Sequence, residues 1–225
     1  MSKEDFLNFP VKTHATGVFS LGEPGGGKTF VMIKSIEEWI KMDIFKEIHL
    51  ILPSFRNEKN DSYKGLEELP NVFIYEHYRS AIAKDLITKS DKNNELFKKG
   101  KAKRELYFFG VVDATSQGKT LMECPYVVRI ATEGRHLNIQ SWFCLHHTAG
   151  IIPPKVRNQT KFCFLYNMHA VALRQAWKEY INFPEFRKFD KFLEFWDKYV
   201  LNQEHGCLLV QKNLTYSPWV STWFE

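Results

Sequence analysis

Gly22, Gly27, Lys28 and Thr29 lie in the stretch GEPGGGKTF at the spacing G-x-x-x-x-G-K-[ST]. Those residue types in that order suit a bound triphosphate. Glycines let backbone N–H groups converge on phosphate oxygens, and a helix starting at the lysine adds its favourable dipole end. Lys28 would neutralise the β- and γ-phosphates, and Thr29 would offer its hydroxyl to Mg2+. The expected contacts of ATP are Gly22, Glu23, Pro24, Gly25, Gly26, Gly27, Lys28, Thr29 and Phe30. The plain alternative is a glycine turn that happens to precede Lys-Thr.

Such a loop needs a second acid for the metal, carried at the end of a buried strand. Asp113 follows LYFFGVV and fits, as the partner of Thr29 in holding Mg2+. An aspartate that only caps the next helix is the competing reading. Hydrolysis also needs a carboxylate to polarise water. The residue after Asp113 is Ala114, so the candidates become Glu133 and Glu76, with Glu23 as a third. His146 and His147 end the strand IQSWFCLHH, where a polar side chain senses a γ-phosphate. Arg135 and Arg157 are candidates for a cation supplied across a subunit interface, against the plain reading of surface charges.

The elements that must position these groups alternate. TGVFSLG reads as a buried strand, and KTFVMIKSIEEWIKM as a helix with Phe30, Ile33, Ile36 and Ile40 at helical spacing. EIHLILPSF and NVFIYEHY read as strands, followed by a helix from about Arg79 to Thr88. KSDKNNELFKKGKAKR, from Lys89 to Arg104, reads as a mobile basic loop, either a solvated linker or a polyanion contact. LMECPYVVRIATEGRHLN reads as helical with Pro125 in a first turn, and TAGIIPPKVRNQ as a proline-bearing loop. KFCFLYN reads as a strand, two amphipathic helices meet near Pro184, and a hairpin closes the chain. The expected fold is α/β: a P-loop NTPase of the ASCE/RecA-like kind. Its largely parallel central sheet is flanked by helices, with a small C-terminal helical and β-hairpin extension. One ATPase domain is expected over 1–225, its core about 16–168 and its C-terminal helices and hairpin about 169–225.

The bulk properties agree with this reading. The 225 residues are 44% hydrophobic and suffice for a sizeable core, and the 15% aromatic content suggests that some aromatic surface meets partners. The net charge of +5 permits a polyanionic partner without requiring one. Cys124, Cys144, Cys163 and Cys207 form no Cys-x-x-Cys pair, which argues against a zinc ribbon or a disulfide framework. With no apolar run long enough to span a bilayer and no apolar signal core, the chain reads as soluble and intracellular.

GRHLNIQSWFCLHH followed by IPPKVRNQTKFCFLY resembles the FtsK/HerA-type genome-packaging ATPases of large DNA viruses. These are the poxvirus-type group and its relatives among virophages and Polinton-like viruses. The residues that carry the resemblance are Arg135, His136, Asn138, Ile139, His147, Ile152, Pro153, Arg157 and Asn158, with the glycine loop and Asp113. It spans roughly Gly17 to Asn167. A histidine replaces the family's frequent sensor glutamine, and Ala114 replaces its acid. The resemblance implies a homo-oligomeric ring of five or six subunits that hydrolyses ATP and drives double-stranded DNA into a preformed capsid. It implies a capsid or portal-vertex partner. The location implied is the host cytoplasm or a virus factory, with association with the virion. The other classes open to the sequence are a nucleotide-dependent assembly protein and a P-loop kinase of small molecules.

Overall fold

A computed structural model describes residues 2–13, 16–53, 63, 65–69, 71–114, 118–146, 152–203, 205–212, 214–219 and 223. Its strands are β1 (Gly17–Leu21), β2 (Glu47–Ile51), β3 (Val72–Tyr75), β4 (Tyr107–Val111), β5 (Ile139–Leu145), β6 (Thr160–Tyr166), β7 (Cys207–Gln211) and β8 (Thr215–Trp219). They form one sheet in the order β3-β2-β4-β5-β1-β6-β7-β8. The first six are parallel to one another, and β7 and β8 are added antiparallel at the β6 edge. The C-terminal hairpin therefore extends the central sheet instead of standing beside it.

The helices are α1 (Lys3–Leu7), α2 (Phe9–Thr13), α3 (Lys28–Lys41), α4 (Ser80–Lys98), α5 (Gly118–Glu123), α6 (Pro125–Leu137), α7 (Pro154–Gln159), α8 (Ala170–Tyr180) and α9 (Phe189–Trp196). A π-helical turn, Asp197–Leu201, continues α9. Both faces of the sheet are covered, so its strands are apolar on both sides. Along β4, Phe108 joins one core while Tyr107, Phe109 and Val111 join the other. On the first face Phe6 lies edge-on to Trp142, Phe162 and Phe164, and Trp39 donates its indole N–H to the Leu7 carbonyl at 2.9 Å. Most of the bulkiest aromatic side chains thus fill the layers between helix and sheet, while Phe30, Phe73 and Phe97 stay exposed.

Two expected loops are helical. Helix α4 continues to Lys98, through most of the stretch expected to be mobile. Its inner face there is polar: Ser90 donates to the Leu137 carbonyl, and Asn93 bonds the Lys103 carbonyl and the Glu105 N–H, each at 3.1 Å. Hydrophobic periodicity is blind to a helix anchored by buried amides and hydroxyls. Likewise α7 starts directly after Pro153, with Pro154 in its first turn, where a missing N–H costs nothing, and Val156 buried. Among the described residues, no helix is long and apolar enough to cross a membrane.

Helix α6 runs back from the strand ends to the strand starts and turns sharply into β5. Asn138 caps it at φ 53°, and a side chain on Gly134 would stand 2.5 Å from the Ile139 carbonyl oxygen. That oxygen belongs to the backbone and cannot swing aside. Gly134→Ala should therefore destabilise the protein by about 1–3 kcal/mol, read as a lowered urea midpoint at unchanged slope. An unchanged midpoint would mean that the α6–β5 turn tolerates a wider spacing.

Candidate functional site

Strand β1 lies between β5 and β6 and delivers the chain at Gly22 to the carboxyl edge of the sheet. Residues 22–27 turn there and α3 begins at Lys28. Gly25 and Gly27 take φ values of 79° and 91°, a left-handed backbone that side chains disfavour. The N–H groups of Gly25, Gly27, Lys28 and Thr29 make no backbone hydrogen bond among the described residues. This fan of donors at the start of a 14-residue helix is what a phosphate chain fits.

Lys28 is only 7% exposed, and its ammonium donates to the carbonyls of Gly22 at 2.7 Å and Glu23 at 2.6 Å. Burial lowers its pKa, while the carboxylates of Asp113 and Glu23 act in the opposite sense. Cys144 is fully enclosed, and burial pushes its thiol up to about 12, so it packs as a neutral group.

Strand β4 delivers Asp113, at φ 49°, and the Ala114 N–H then bonds the Cys144 carbonyl at 2.9 Å. That bond draws the chain after β4 across the tip of β5. His146, the residue after β5, places its Nε2 at 3.1 Å from Asp113 Oδ1. Lys28, Thr29, Asp113, Cys144 and His146 border one cleft of about 480 Å³. Mg2+ suits this donor set: the Thr29 hydroxyl and the Asp113 carboxylate would hold it, and it would neutralise phosphate charge.

The other expected site residues are divided between this cleft and more distant positions. Gly26 closes the loop by bonding the Glu23 carbonyl, and Phe30 borders the cleft with an exposed ring. Glu23 is exposed, on the flank away from Asp113, and shares a second cleft with Pro24 and Gly25. His147 falls outside the described residues.

Four other candidates stand away from this cleft within one subunit, two of them arginines expected to serve a neighbouring subunit's cleft. Glu133 cannot act as base on this cleft, because α6 carries it toward the strand starts, where it pairs with Arg129 at 3.0 Å. Glu76 follows β3, and β2, β4 and β5 separate that edge strand from β1, about 19 Å of sheet. Arg157 is half-buried on α7, before β6 begins, and is paired with Glu179 of α8. Arg135, in the last turn of α6, is also at the strand starts, exposed.

One neighbour was invisible in the sequence. His205, at φ 52°, stands over the glycine loop, where a side chain on Gly27 would meet it at 3.5 Å. It borders both clefts, and Val200, Leu201, Gln203 and Gly206 share the second with Glu23 and Gly26. The nearby π-turn is a feature often found beside functional sites. Nothing in EHG, a histidine before a glycine, announces contact with a loop that lies so far upstream.

No family model matches the chain, and no curated protein matches it in sequence. Known structures do match. The genome packaging NTPase B204 from Sulfolobus turreted icosahedral virus 2, in complex with ATP-gammaS, is 13% identical at a TM-score of 0.61; the match covers 91% of this chain and 96% of that one. The chain has the fold of the P-loop ATPases. The cytoplasmic domain of the Type VII secretion ATPase EccC from Thermomonospora curvata matches at 9% identity and a TM-score of 0.62, over 92% of this chain and 25% of that one. EssC, ATPases 2 and 3, from Geobacillus thermodenitrificans matches at 12% and 0.60, over 90% and 39%. At these identities the likeness is one of fold. It agrees with a largely parallel central sheet, in which β5 lies between the loop strand and the Asp113 strand.

ATP with Mg2+ should raise the melting temperature by roughly 5–10 °C at a hundredfold excess over its dissociation constant. Lys28→Ala should abolish that shift in a thermal melt. Arg157→Ala should instead lower stability by about 1–3 kcal/mol, by stranding the partly buried Glu179, and leave the ATP shift intact. Unchanged stability in that variant would free Arg157 for a role outside the fold.

Proposed function

We propose that the chain hydrolyses ATP and uses it to drive double-stranded DNA into a preformed viral capsid. It works as a homo-oligomeric ring of five or six subunits docked on a capsid or portal-vertex protein. The proposed place of action is the host cytoplasm or a virus factory, with virion association. The observation that supports this best is the cleft itself: the loop amides and Lys28 face Asp113 and His146 across the tip of β5. Near end-to-end coverage of a viral packaging NTPase by this one chain adds to it, as do GRHLNI and IPPKVRN.

In this reading the amides of Gly25 to Thr29 and the Lys28 ammonium bind the β- and γ-phosphates. Lys28 leaves the two carbonyls it now holds for the phosphate oxygens, which gain a desolvated cation. Thr29 and Asp113 hold Mg2+. His146 sits where the terminal phosphate ends, and its bond to Asp113 reports phosphate loss to the metal ligand. Among the described residues bordering the cleft, Asp113 is the one carboxylate. The water-polarising acid therefore comes from outside this set, a neighbouring subunit included.

Ala114 favours a second reading, a nucleotide-dependent assembly ATPase that does not move DNA. It is fully buried where the family pattern has an acid. Phosphate release, with and without long duplex DNA, separates the readings. The motor predicts turnover that DNA raises severalfold and that Lys28→Ala abolishes. ATP binding without turnover would favour the assembly role, and phosphate on a small acceptor would make the chain a kinase.

A further inference from the structure

At the opposite edge of the sheet, where β1 and β6 begin and α6 ends, lies a cleft of about 430 Å³. Lys12 of α2, Arg135 and His136 of α6 and Lys161 of β6 all border it, and all four are exposed. No acidic residue is among its lining residues, and none of the four side chains forms an ion pair with a described residue. Two basic residues in the last turn of α6 alone would be ordinary at the dipole's negative end. Here Lys12 and Lys161 converge on them from two other elements. The cleft also holds Thr16, only 7% exposed, whose hydroxyl is shut away from solvent without a hydrogen-bond partner among the described residues.

We infer that this cleft binds the phosphodiester backbone of double-stranded DNA, an assignment that rests on the motor reading above. A single phosphate would not need so wide a spread of charge. Helix α4 also ends at this edge, where Asn94 bonds the His136 carbonyl at 3.2 Å, and the turn after it carries the exposed Lys99 and Lys101. Cations strung along one edge suit a linear polyanion held through counterion release. Gln159 and Gln211 supply neutral donors of the kind that contact phosphate and sugar. Backbone contacts carry no sequence information, which is what moving arbitrary DNA demands.

The cleft is about 20 Å from the nucleotide loop, the span of the extended run from Thr16 to Gly22 that contains β1. DNA and ATP are thus bound at the two ends of the same strand.

The test is fluorescence anisotropy of a labelled duplex of about 30 base pairs, with the full chain in ATP-gammaS and a salt titration. Lys12→Glu with Lys161→Glu should weaken binding by about tenfold or more, and Lys12→Gln with Lys161→Gln should lower the slope of log affinity against log salt by about 2. Both pairs should keep the parent melting temperature and ATP shift, which excludes misfolding as the cause. If both pairs bind duplex like the parent protein, the cleft assignment falls and the motor reading stands. If Lys99→Glu with Lys101→Glu abolishes binding while the cleft pairs do not, the assignment is likewise overturned. If the parent protein neither binds duplex nor hydrolyses ATP faster with DNA, the motor reading fails, and the cleft assignment with it.

Discussion

An ammonium group buried at the tip of the central strand sets the terms for the rest of this structure. Lys28 has little access to water, and among the described residues the carbonyls of Gly22 and Glu23 accept its hydrogen bonds and offset its lost hydration. Those carbonyls face it because the loop is glycine-rich enough to fold back on itself. The loop in turn is held by the Glu23 N–H bonding the Asn167 carbonyl at 2.9 Å, and the Gly22 N–H bonding the Leu145 carbonyl at 3.2 Å. Strands β5 and β6 must therefore flank β1 closely before the cation can be held. Phosphate oxygens would replace neutral carbonyls with charged acceptors in the same dry setting, where the gain per contact exceeds that in water.

The same arrangement explains how Asp113 and His146 meet. With β5 inserted between β1 and β4, the acid at the end of β4 stands one strand away from the loop strand's neighbour. The residue after β5 then occupies the gap. The bond from the Ala114 N–H to the Cys144 carbonyl holds the two strand tips together, and Asp113 takes a left-handed conformation to make the crossing. The 3.1 Å contact between His146 and Asp113 is thus a product of topology more than of local sequence. A change at either strand tip would be felt by the other through one backbone hydrogen bond.

Local signals carried the first half of the site, while its second half depends on long-range packing. The glycine loop was legible because Gly22, Gly27, Lys28 and Thr29 fit a phosphate-loop pattern within eight positions. Asp113 was legible because a seven-residue apolar run precedes it. Glu133 misled because nearness in sequence to the sensor strand says nothing of which end of a helix faces the loop. Helix α6 runs antiparallel to the strands it joins, so its last turn lies a full strand length from Lys28. The far half of α4 was read as loop because Ser90, Asn93 and Asn94 anchor it through hydrogen bonds. His205 reaches the loop only because β7 pairs with β6, a long-range contact with no local signature.

Two strands run from one edge of the molecule to the other through its middle, and each bears on both ends. Strand β1 begins beside the basic cleft and ends at the phosphate loop; β5 begins just after Arg135 and His136 and ends at His146. They are paired along their whole shared length, from Gly17 with Ser141 to Leu21 with Leu145. A close-packed pair of buried strands does not stretch, so displacement at one edge appears at the other as tilt or sliding of the pair. Loss of a terminal phosphate would act on His146 and hence on the tip of β5, and force at the cleft would act on the starts of both strands. If DNA is gripped at the cleft, chemistry and grip need no flexible relay, because the central strands already join them.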